Sequence, residues 1–145
     1  MTIKLNLNKK VDEGFEQLKP GTYEVTVVNF EPRIAGDKNI ISVDYEIRSD
    51  VDQEFKGRKI RKDDFFCTEN ALWKIENASI AAGFTEQEAE FEKYSDWAKR
   101  YVGKQLAVEI YIEDRNGFKN ERVKRYIPTA YPVAPTEVSE DDLPF

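Results

Sequence analysis

The chain of 145 residues is 40% hydrophobic, enough for one domain with a modest core that needs no disulfide or metal to hold it. One cysteine, Cys67, and no histidine exclude a disulfide framework, a Cys/His zinc site and both the Ser-His-Asp and Cys-His nucleophilic pairs, so no enzyme, cofactor or bound metal is expected. The formal net charge of -6 opposes a nucleic-acid partner, but four of the 28 acids (Glu137, Glu140, Asp141, Asp142) and none of the 22 bases lie beyond residue 128, leaving a near-neutral body of 24 acids against 22 bases.

The stretch from Met1 to Lys10 lacks the apolar run of a signal peptide, and no segment approaches the roughly 20 apolar residues that span a bilayer. A cytoplasmic chain with no membrane contact is expected. Pro20-Gly21 opens a first strand, Thr22 to Phe30, whose β-branched and aromatic residues alternate. Pro32 and Gly36-Asp37 mark a loop, and Ile40 to Arg48 follows with Ile41, Val43, Tyr45 and Ile47 on one face. Arg58 to Cys67, carrying Ile60, Phe65 and Phe66, is a third strand. The period then lengthens: Leu72, Ile75, Ser79 and Ala82 form a helical stripe that Gly83 stops, with Thr68 or Asn70 as the expected cap. Thr85-Glu86-Gln87-Glu88 is a capping-box pattern for a second short helix, and Ser95-Asp96 begins a third helical turn through Trp97 and Tyr101 to Gly103. Strand alternation resumes at Gln105 to Ile112, with Leu106, Val108, Ile110 and Ile112 inward. Asn116-Gly117 signals a hairpin, and Arg122 to Ile127 is the returning strand.

Three strands, a helical insertion and two more strands give a mainly β fold. Their order is that of a five-stranded OB-like barrel with its helices between strands three and four; an SH3-like barrel or a general α+β sheet fits the same elements. Pro128, Pro132 and Pro135 fall within eight residues, so a domain over residues 1–128 is expected to end in a flexible proline-rich linker and acidic tip over residues 129–145.

Single-stranded nucleic acid requires cations for phosphates and aromatic rings for bases, and both occur. Bases cluster in Lys56-Gly57-Arg58-Lys59-Ile60-Arg61-Lys62 and Arg122-Val123-Lys124-Arg125. Simple alternation puts Lys59, Arg61 and Phe65 on one face of strand three. It turns Tyr111 outward beside Arg122, Lys124 and Tyr126. Arg115 and Phe118 belong to the hairpin between strands four and five, a loop that OB folds often use for nucleic acid. Trp73 and Trp97 are read as helix-to-barrel packing residues. Adjacent carboxylates in Asp63-Asp64 and Glu113-Asp114 point to opposite faces of a strand and make no two-ligand metal site, and no glycine loop opens a helix to cradle phosphate.

At the C-terminus, Asp141-Asp142-Leu143-Pro144-Phe145 combines an aromatic anchor with clustered carboxylates, a suitable ligand for an apolar pocket ringed by cations. It resembles the acidic tip of bacterial single-stranded DNA-binding proteins, with Leu143 where an isoleucine is usual; that resemblance implies docking onto replication and recombination enzymes. A second resemblance rests on Pro20-Gly21-Thr22-Tyr23-Glu24-Val25, Phe55-Lys56-Gly57-Arg58-Lys59, Asn70-Ala71-Leu72-Trp73-Lys74, Val102-Gly103-Lys104 and Val123-Lys124-Arg125-Tyr126. It is to a phage family known only as a domain of unknown function, whose members lie in replication and recombination modules. Together they imply a phage single-stranded DNA-binding protein that coats strands without sequence specificity and recruits partners through its tip. The alternative is an adaptor or decoy that binds no DNA and occupies host pockets for such tips. Oligomeric state, homo-oligomers included, and preference between ssDNA and ssRNA stay open.

Overall fold

Period-two patterning yields five antiparallel strands in the computed structural model, which describes residues 2–4 and 17–132. Most of the polar lead-in, and the tail from residue 133 with its tip Asp141, Asp142, Leu143, Pro144 and Phe145, lie outside the described residues. The strands are β1 (Gly21–Ala35), β2 (Lys38–Ile47), β3 (Lys59–Phe66), β4 (Gln105–Arg115) and β5 (Phe118–Pro128); helices α1 (Leu72–Ala81) and α2 (Tyr94–Tyr101) lie between β3 and β4. The expected mainly β fold with its helical insertion is present. The sheet runs β3-β2-β1-β4-β5, and among the described residues no backbone ladder joins β3 to β5. It is an open sheet whose two ends approach each other through side chains.

Three bulges coil it. One extra residue bends a strand and steepens its twist, and the registers skip at Val28 in β1, at Arg61-Lys62 opposite Asp44 in β3, and at Lys124 in β5. Lys62 takes φ +62°, and its amide donates to the Asp44 carboxylate at 3.0 Å. Each bulge also reverses which face the following residues occupy, a shift that simple alternation does not anticipate.

Other local expectations changed as well. Pro32 does not end β1 but pairs with Ile41, in a stretch where β4 has already left β1 and one side carries no partner strand, the place where a strand tolerates proline. Neither Thr68 nor Asn70 caps α1 with its side chain; a 3-10 turn, Glu69–Ala71, leads in instead. Thr85 and Glu88 do exchange the two capping-box hydrogen bonds, at 2.9 and 3.1 Å. No helix follows; the Arg100 guanidinium donates to the Glu88 carbonyl at 2.9 Å and ties the turn to α2. Gly83 stops α1 as expected, at φ +79°, the left-handed conformation glycine adopts without penalty.

The core lies between the coiled sheet and the two helices. Val25, Val43, Tyr45, Leu106 and Val108 from the sheet meet Ile75 and Ala78 of α1 and Trp97, Ala98 and Tyr101 of α2. Trp97 is 0% exposed, stacks on Tyr101 at 4.7 Å and donates its Nε1 to Ser79 at 2.7 Å, so it packs as expected. No helix of the described chain is long and apolar enough to cross a membrane.

Candidate nucleic-acid interface

Where β3 and β5 face each other without a ladder, a polar cluster joins them. The buried Asp63 carboxylate of β3 accepts hydrogen bonds from Tyr45 of β2 at 2.7 Å and Tyr126 of β5 at 2.6 Å, and pairs with Lys74 of α1 at 3.0 Å. The Tyr45 hydroxyl also meets that of Tyr101 at 2.8 Å, and the Lys74 ammonium sits 4.8 Å from the Phe65 ring centroid. A buried carboxylate is costly unless fully partnered; here two hydroxyls and an ammonium supply the partners. Burial, followed by the nearby Asp63 charge, pushes the phenols of Tyr45, Tyr101 and Tyr126 well above the ordinary tyrosine range. All three therefore remain protonated donors at neutral pH.

Above this cluster lies a groove of about 230 Å³, lined from β3 by Arg61, Lys62 and Phe66 with the acids Asp63 and Asp64, from α1 by Lys74, and from β4 and β5 by Tyr111, Arg122 and the acid Glu121. Three of the residues read from sequence, Arg61, Tyr111 and Arg122, are thus brought together although 61 residues separate the first from the last in the chain. Tyr111 is 44% exposed and Phe66 39%, a pair of rings open to solvent in a cationic setting. Acids temper that setting. Glu113 accepts from Arg122 at 2.8 Å and from Arg115 at 2.9 Å, and the Arg122 hydrogen bond, acting before the Arg115 charge, holds the Glu113 carboxyl below its ordinary value. Among the described residues, the side chains of Lys59, Arg61 and Lys62 form no ion pair within 4.0 Å, so β3 carries cations without a paired acid.

The remaining sequence candidates are placed differently. Phe65 is 0% exposed: the bulge at Arg61-Lys62 reverses the face, so it packs on Trp97 at 5.0 Å while its neighbour Phe66 takes the outer side. Tyr126 is turned inward in the same way by the bulge at Lys124, onto Phe65 at 5.9 Å and Asp63, so neither ring is the stacking surface expected. Lys59 and Lys124 are exposed but line no part of this groove, and Arg115 and Phe118 face each other at the β4–β5 hairpin, outside it. Trp73 was expected to pack and is instead 62% exposed. It lines, with Lys124, Arg125 and Tyr126, a second cleft of about 300 Å³ between α1 and β5. Phe66, Lys62, Lys74 and Trp73 were not among the site residues read from the sequence. The signal for Trp73 was available, because it falls beside the Leu72-Ile75-Ser79 stripe rather than on it.

Among known families, the model of one described as a protein of unknown function (DUF669) matches residues 5–138. No curated protein matches the chain.

Proposed function

The chain belongs to the DUF669 family, and on that premise we propose that it is a phage-encoded single-stranded DNA-binding protein. It coats exposed strands without sequence specificity during replication or recombination in the host cytoplasm, and recruits partner enzymes through Asp141-Asp142-Leu143-Pro144-Phe145. The carrying observation is the groove between β3 and β5, where Arg61, Lys62 and Arg122 stand beside the open rings of Tyr111 and Phe66. That combination suits phosphate and base together. The strand order β3-β2-β1-β4-β5, with helices inserted between β3 and β4, supports an OB-like barrel that is open along one seam. Chemistry at this groove is not proposed, because Asp63 is occupied by three partners.

The experiment is fluorescence anisotropy with an unstructured oligonucleotide at low salt, against a duplex of the same length. Preferential binding of the single strand, weakening as salt rises, is the expected result. No binding, or equal affinity for duplex, would overturn the reading. The adaptor alternative draws on the compensation of Arg115, Arg122 and Arg125 by Glu113 and Glu109. It predicts partner binding through the tip with no oligonucleotide binding at all.

A further inference from the structure

The cleft between α1 and β5 has no assigned role, and the fold does not require its most conspicuous residue. Trp73, Asn77 and Ile80 follow one another at helical spacing on the side of α1 opposite the buried Ile75 and Ala78, and Trp73 and Ile80 are both largely exposed. Across from them the bulge in β5 breaks the alternation, so that the consecutive Lys124 and Arg125 are both exposed. The two cations share one acid, Glu109, at 4.0 and 2.9 Å, which leaves the pair with a net positive charge. Among the described residues, no carboxylate lines the cleft itself. The cleft and the groove are lined by residues adjacent in the chain: Trp73 and Lys124 line the cleft, and their neighbours Lys74 and Val123 line the groove.

We propose that this cleft is a second contact for single-stranded nucleic acid, in which a base stacks on the Trp73 indole while its phosphate lies against Lys124 and Arg125. This rests on the reading of the groove as a single-strand site and extends the strand's path from the groove around the β5 bulge. An indole flanked by cations fits a base and its phosphate, since every base presents a π-face and stacking needs no particular sequence.

Only two tryptophans are present, and Trp97 is buried, so quenching of emission by a bound ligand reports on Trp73. The full chain is titrated with oligo(dT), following tryptophan emission and the anisotropy of the labelled oligonucleotide in parallel. Oligo(dT) is expected to quench emission in the natural chain and not in Trp73→Phe. Trp73→Ala is expected to weaken binding about tenfold, with Trp97 emission unchanged as the sign of an intact core, and Trp73→Phe to retain most of the affinity. Binding by anisotropy without quenching, or with full affinity in Trp73→Ala, overturns the second contact and leaves the groove reading standing. Absence of binding by anisotropy overturns both. Quenching by a peptide of residues 137–145 but not by oligo(dT) overturns it in favour of a protein-docking cleft.

Discussion

Tyr111 and Phe65 separate binding from folding at the level of single side chains. Tyr111→Ala is expected to weaken oligonucleotide affinity about fivefold to tenfold in anisotropy, the loss of one stacking surface, with the denaturant midpoint unchanged because the ring is partly exposed. Phe65→Ala is expected to lower stability by about 3–5 kcal/mol in the same denaturant experiment, as it empties a fully enclosed position against Trp97 and Tyr101. Had Phe65 been the stacking ring, the two substitutions would behave alike. Asp63 is the third informative position: Asp63→Ala strands two buried hydroxyls and the Lys74 ammonium, at a cost of about 3 kcal/mol, measured by the same unfolding.

At the level of strands and helices, the Asp63 cluster substitutes for a missing ladder. Its removal is expected to speed amide exchange selectively at the β3 and β5 edges while the β1–β2 ladder stays protected, since only side chains join those edges; uniform loss of protection would mean the cluster does not act locally. The same place marks the limit of what the sequence disclosed. All five strands, α1 with its Gly83 stop, and the Asn116-Gly117 turn were legible, because period and turn chemistry are local. Asn116 and Gly117 indeed take φ +55° and +86°, the conformation a two-residue hairpin needs. The faces of β3 and β5 were not legible. A bulge has no compositional signature as distinct as a turn, and each one reversed the assignment of an aromatic: Phe65 for Phe66, and Tyr126 inward. Tyr111 and Arg122 pair as simple alternation has them, because both lie on the hairpin side of the skipped Lys124, whereas Arg61 lies within the β3 bulge itself and meets them only in the folded sheet.

For the molecule as a whole, tyrosine protonation governs the response to base. The unfolded chain gives up these protons near pH 10, whereas folded Tyr45, Tyr101 and Tyr126 hold them well above it, burial being the first cause. The contribution of these three groups to stability is therefore constant below about pH 10 and is lost above it, as the unfolded state gives up protons that the folded state keeps. An alkaline titration of phenolate absorbance is expected to show these three ionising together with unfolding; three independent ionisations near pH 10 in a folded chain would contradict the burial. The open seam has one more outcome, in colloidal behaviour. Its two unladdered edges are the kind of surface on which a second chain can add strands, and charged side chains are the usual guard against such stacking. On β3 and β5 those guards are Arg61, Lys62, Arg122, Lys124 and Arg125, largely the cations assigned to phosphate. Stripping them to test the proposed DNA binding is expected to leave the protein prone to self-assembly into aggregates, so neutralising the proposed binding surface costs solubility.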